Sequence, residues 1–146
     1  NLLDQWRGME RDGKWRYTSP THVVLAFSKA LEELAEEGGI PARHRRYAAN
    51  NRLLIERMRQ LGFTTYIGPE HQSPIITTFC YPAGVSFRFP EFYQYIKARG
   101  YAIYPGKLTE RDTFRIGTIG EVYEEDIEKL AAIISDFLRE RKGETA

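Results

Sequence analysis

Apolar residues recur at helical spacing over Thr21 to Glu37, where Phe27, Ala30, Leu31 and Leu34 form one stripe, and the Gly38-Gly39 pair stops it. Pro41 suits the first turn of a second helix that runs to Gln60 or Leu61 and ends at Gly62. Its stripe is Tyr47, Leu54, Met58 and Leu61, with arginines on the other faces. The period then shortens. "FTTYI" (Phe63 to Ile67) and "IITTFCY" (Ile75 to Tyr81) are rich in β-branched and aromatic residues and predict strands. "RFPEFYQYIKARG" predicts a short helix with proline near its start and Gly100 at its end, and "YAIYP" and "TFRIGTI" predict two more strands. The last helix, Glu124 to Arg141, carries a stripe of Ile127, Leu130, Ala131, Ile134, Phe137 and Leu138. Its acids lie in the first turn and its bases in the last, as the helix dipole favours.

The predicted order is α-α-β-β-α-β-β-α. Short strands broken by helices, without strict β-α-β alternation, point to an α+β fold: a small, mostly antiparallel sheet covered by helices on one face. Residues 1–146 read as a single domain, with no repeat, low-complexity segment or linker, and the tail "KGETA" is expected to fray.

Composition narrows the class. The chain of 146 residues is long enough for a hydrophobic core. Twenty-one basic and twenty acidic residues leave a net charge of +1, which suggests neither a nucleic acid nor a membrane surface as partner. One cysteine, Cys80, excludes an internal disulfide framework and fits a reducing compartment. No apolar run approaches a membrane span, and the opening residues lack a signal pattern. A cytoplasmic domain is expected. The missing initiator methionine hints at a cut from a longer chain.

Most searches for chemistry return nothing. His22, His44 and His71 are far apart and lack metal-ligand spacing with Cys80, so no metal site is expected. There is no G-x-S-x-G elbow, P-loop or dinucleotide fingerprint. Cys80, in an apolar strand, reads as a buried inert thiol. Glu124-Glu125-Asp126 is accounted for by its place at a helix start. Arg115 is different. It sits between Phe114 and Ile116, so if those face a core it projects from the opposite sheet face, beside Gly117, where a guanidinium could stand over a pocket. A solvated edge-strand arginine would have the same spacing.

Three stretches carry a resemblance: "GKWRYTSPTHVVLAFSKALEELAEEGG" (Gly13 to Gly39), "QSPIITTFCYP" (Gln72 to Pro82) and "YPGKLTERDTFRIGTIG" (Tyr104 to Gly120). Together, in order, they resemble the carboxy-terminal small domain of class V aminotransferases, fold type I. Within that family they look most like the members that take 2-aminoethylphosphonate as amino donor and pyruvate as acceptor. The resemblance implies a homodimeric enzyme that uses pyridoxal 5'-phosphate (PLP), whose cofactor-bonding lysine and most cofactor contacts lie upstream in a large domain absent from this chain. The fragment alone would then be inactive, and no catalytic residue is assigned within it.

By the same resemblance, Arg115 is the anchor for the substrate carboxylate, a task suited to the planar donor fork of a guanidinium. Thr18, in "TSP", would reach the cofactor phosphate of the partner subunit, although Ser, Thr and Pro also cluster at helix starts as simple caps. Lys107, in "YPGK", could steer an acidic substrate, or be a solvated turn lysine. Two other readings stay open: another class V enzyme acting on alanine, serine or glyoxylate, and a free-standing α+β binding or dimerisation module.

Overall fold

The computed structural model describes residues 1–83, 87–106 and 111–143. Contacts divide the chain into two compact units, Asn1–Ile40 and Pro41–Ala146.

The first unit begins with a helix that the sequence reading left out, α1 (Leu2–Asp12). The signal for it was present. Leu2, Leu3, Trp6 and Met9 have helical spacing, and Asn1 caps the start by accepting from the Leu3 amide. Gly13 ends it at φ 69°, in the left-handed region that glycine enters without strain, and its N–H reaches the Met9 carbonyl at 2.9 Å. The Gln5 side chain then ties the returning chain, accepting from the Arg16 N–H at 3.0 Å. Helix α2 (Thr21–Glu36) follows where the periodicity predicts it. Its stripe is not covered within this unit: none of its residues is buried, and Phe27 and Leu31 remain 64% and 49% exposed.

The second unit holds the core. Helix α3 (Gly39–Gln60) is followed by β1 (Thr64–Thr65), a 3-10 turn at Pro69–His71 and β2 (Ile76–Cys80). Then come α4 (Phe89–Lys97), β3 (Tyr104–Pro105), β4 (Thr113–Gly117) and α5 (Glu124–Gly143). The expected α+β architecture is present, with α1 added in front. The strands form one four-stranded sheet in the order β1-β2-β4-β3, and every pairing is antiparallel.

One face of this sheet is packed. Phe79 and Phe114 are in register on β2 and β4 and carry Phe63, Phe92 of α4 and Phe137 of α5 around them. The Phe114 ring lies 5.2 Å from Phe92 and 5.5 Å from Phe63, both edge-on, a geometry aromatic quadrupoles favour. Truncating a phenylalanine buried like this costs about 3–5 kcal/mol. Leu54 and Met58 of α3 close the core, and all six residues of the predicted α5 stripe are buried.

Polar ties fix the loop between β4 and α5. Arg46 donates to the Gly120 and Val122 carbonyls at 2.8 and 3.1 Å. Asn50 donates to the Val122 carbonyl at 2.6 Å, and the Tyr47 hydroxyl accepts from the Gly120 amide at 3.2 Å. Asp126 accepts from the Tyr123 amide at 3.0 Å, so the acidic start of α5, which the helix dipole favours, also caps the helix.

Candidate functional site

Arg115 occupies the middle of β4. Its neighbours Phe114 and Ile116 are 0% and 2% exposed, so strand alternation aims Arg115 at the face that α3, α4 and α5 do not cover. In register with it stand Thr78 on β2 and Tyr104 on β3. Tyr66 extends this row, its N–H donating to the Thr78 carbonyl at 2.9 Å. Gly117, two residues on, points the same way, and a Cβ there would meet only the Ile75 carbonyl at 3.8 Å. The backbone beside the arginine is bare.

The arginine is half-buried, and its partners are unusual. Nε and Nη2 both donate to one acceptor, the Pro105 carbonyl, at 3.3 and 3.2 Å. Among the described residues no carboxylate pairs with it, whereas Arg57 grips Glu128 at 2.6 Å and Arg139 grips Asp136 at 2.6 Å. A guanidinium favours an anionic partner, and among the described residues this one is held by a neutral carbonyl. Two Nη1–H groups and one Nη2–H remain, which is the end-on edge that fits a carboxylate.

Thr18 lies in the other unit and is exposed. The residue at the N-cap of α2 is Pro20, and no side chain caps this helix end; Ser19 accepts from Thr21 Oγ1 at 3.2 Å instead. The first-turn amides of α2 therefore have no side-chain acceptor from "TSP", which leaves an anion-compatible helix start. Lys107 lies outside the described residues.

Cys80 differs from expectation. It pairs with Thr113 on the same face as Arg115 and is half-buried. Strand alternation explains this, because β2 turns Phe79 inward and Cys80 away from the core. His44 is exposed. Among the described residues no three His, Cys, Asp or Glu side chains gather as a metal site would require. Within the second unit, an open groove of about 840 Å³ lies between α3 and the segment around Pro69–Pro74, lined by His44, Asn51, Arg52, Arg59 and Gln72 among others. Arg115 is not on it. A guanidinium that no carboxylate pairs with among the described residues is the stronger chemical signal. Sequence reasoning missed Pro105 as the partner of Arg115, since no local pattern announces a main-chain acceptor from a neighbouring strand.

The fold has solved counterparts among the aminotransferases. The chain superposes on an alanine–glyoxylate aminotransferase from Nostoc with TM-score 0.78 and 26% identity, covering 95% of this chain and 36% of that one. An aspartate aminotransferase from Thermus thermophilus gives TM-score 0.75 at 21% identity, over 95% and 38% of the two chains. By sequence the chain is homologous, over almost its whole length, to the 2-aminoethylphosphonate–pyruvate transaminases. It is 56% identical to the one from Lysinibacillus sphaericus over 144 residues, which is 99% of this chain and 39% of the relative. It is 54% identical to the one from Bacteroides fragilis, over 93% of this chain and 38% of the relative. A bifunctional phosphonoacetaldehyde hydrolase/aminoethylphosphonate transaminase from Clostridioides difficile is 55% identical over 94% of this chain and 22% of its own length. The chain thus spans at most about two-fifths of these relatives. No family model matches it. Among the described residues no helix is long and apolar enough to cross a membrane.

Proposed function

We propose that this chain is the substrate-orienting, carboxy-terminal part of a PLP-dependent aminotransferase that moves the amino group of 2-aminoethylphosphonate to pyruvate, giving phosphonoacetaldehyde and alanine. The observation that carries the reading is Arg115: half-buried on the bare sheet face, without a carboxylate partner among the described residues, in a chain 54–56% identical to transaminases of that name. The free edge of the guanidinium takes the carboxylate of pyruvate, or of alanine in reverse, and fixes the orientation of the α-carbon. Tyr66 and Tyr104, exposed in the row of Arg115, offer aromatic walls beside that carboxylate.

The cofactor supplies the electron sink and carries the amino group between the two substrates. The residues present fit one part of it. The Thr18 hydroxyl and the side-chain-free start of α2 suit a phosphate, and a phosphate held there would belong to the partner subunit's site in a homodimer. The resemblance puts the lysine that bonds the cofactor upstream of this chain, and none of the described lysines Lys14, Lys29, Lys97 and Lys129 lies in the row of Arg115. Lys107, two residues beyond Pro105 in sequence, would add positive charge near an acidic substrate. The enzyme would work in the cytoplasm.

The test is a panel of amino donors given to the full-length enzyme with pyruvate as acceptor. Fastest turnover with 2-aminoethylphosphonate, with alanine and phosphonoacetaldehyde formed in equal amounts, supports the reading. Preference for alanine or serine with glyoxylate would move the chain to another class V activity.

A further inference from the structure

The peptide unit between Pro105 and Gly106 is bonded to β4 at both ends. Its N–H donates to the Thr113 carbonyl at 2.9 Å. Its carbonyl accepts Nε and Nη2 of Arg115 at 3.3 and 3.2 Å. A single peptide plane therefore connects the β4 main chain to the tip of a β4 side chain two residues further along.

That contact depends on the absence of a side chain at residue 106. A Cβ on Gly106 would overlap the Thr113 hydroxyl, carbonyl oxygen and carbonyl carbon. Two of those atoms are main chain, and Thr113 is 4% exposed inside the sheet, so they have nowhere to retreat. Gly106 is not among the glycines with positive φ, so the requirement is for space rather than for an unusual backbone conformation. The preceding Pro105 has its φ fixed by its ring, which limits how the chain ahead of this peptide can adjust. Any larger residue at 106 must lift this peptide from β4 and carry the carbonyl away from Arg115.

We propose that Gly106 is the positioning residue for Arg115: its bare Cα lets the Pro105 carbonyl occupy the Nε/Nη2 side of the guanidinium, so that a substrate carboxylate is received only end-on, at Nη1 and Nη2. The proposal rests on the reading of Arg115 as carboxylate anchor and adds a geometric rule to it. With the Nε side filled, the guanidinium has one approach direction and not two, and the carboxylate plane is set by the sheet. Without the clamp, the arginine keeps its charge and loses its aim, and loss of aim weakens binding of the carboxylate substrate first.

The experiment uses the full-length enzyme and three variants: Gly106→Ala, Arg115→Ala and the double substitution. The expected result for Gly106→Ala is a KM for pyruvate raised roughly ten- to thirtyfold, with kcat changed far less and the thermal midpoint within a few degrees of wild type. In the Arg115→Ala background, Gly106→Ala should add nothing, because its effect passes through the missing guanidinium. An effect that multiplies fully in that background, or an unchanged KM in the single variant, would overturn the proposal. A silent Arg115→Ala would instead remove the anchor reading beneath it, so the two failures are distinguishable. If Gly106→Ala does not fold, the wild type still decides: the Arg115 Nε–H, followed by proton–nitrogen NMR, should exchange with water well below the rate of exposed arginines. Exchange as fast as theirs would overturn the clamp.

Discussion

Asn51 Nδ2 donates to Thr77 Oγ1 across 2.7 Å, joining the middle of α3 to β2 through two side chains that are 5% and 0% exposed. Gln72 also donates to the same hydroxyl at 3.3 Å, so one buried oxygen gathers two amide donors, while Gln72 Oε1 finds no partner among the described residues. Removing one partner of a buried pair leaves the other desolvated without compensation. Asn51→Ala should therefore lower the unfolding free energy by about 1–3 kcal/mol. Denaturant unfolding with an unchanged slope would measure it, and a loss below about 0.5 kcal/mol would mean that water replaces the bond.

Arg57 and Glu128 join α3 to α5 through contacts of 2.6, 2.8 and 3.1 Å. Hydrogen bonding to Arg57 holds the Glu128 carboxyl below its ordinary pKa, and the same bond raises Arg57. The folded pKa of Glu128 is thus lower than the unfolded one. Its contribution is present above the unfolded value and disappears as pH falls through the folded one. Glu128→Gln should lower the thermal midpoint slightly at neutral pH, less in high salt, and not at all at the acid end. A difference that grows toward acid would contradict this sign.

In the proposed full-length aminotransferase, Arg115→Lys should preserve the fold and the cofactor absorbance, because the side chain leaves the core face untouched. Losing a bidentate, partly desolvated pair costs on the order of 2–4 kcal/mol in kcat/KM for pyruvate, about thirty- to a thousandfold. The half-reaction with 2-aminoethylphosphonate, which has no carboxylate, separates two roles. If Arg115 holds only carboxylates, this donor is affected much less than alanine; equal losses would mean it also receives the phosphonate.

If Thr18 holds the cofactor phosphate across the proposed dimer, Thr18→Val in the full-length protein should weaken cofactor retention by roughly 1–2 kcal/mol, the value of one hydrogen bond, while leaving the KM for pyruvate nearly unchanged. Equilibrium dialysis of the cofactor measures it. Equal retention in both forms would return "TSP" to the role of a plain helix entry.

The 146-residue chain alone should self-associate, since Val23, Leu25 and Phe27 on α2 are 69%, 63% and 64% exposed. Light scattering should show mass rising with concentration, and Phe27→Lys should reduce it. With PLP and both substrates added, the chain alone should show no transaminase turnover. A clean monomer at high concentration, or measurable turnover, would contradict these expectations.

Local periodicity was enough to establish α2, α4 and α5, the burial of the whole α5 stripe, and the alternation that sets Arg115 opposite Phe114 and Ile116. Those features follow from side-chain direction within one element, which sequence spacing encodes directly. The strands were legible as elements but came out shorter, Thr64–Thr65 and Tyr104–Pro105, because their ends depend on where a partner strand stops. Helix α1 went unread although its cap and spacing were visible. Tertiary structure alone decided the rest. Asn50 and Asn51, polar residues on a helix, became buried because Val122 and Thr77 came to meet them from 72 and 26 residues away. Cys80 emerged on the face away from the core through the same register that buried Phe79. The aim of Arg115 was set by a main-chain carbonyl ten residues earlier, on a strand that approaches closely only because Gly106 has no Cβ to collide with Thr113. Such contacts join residues far apart in the chain through atoms that every residue possesses, so no spacing of residue types can announce them.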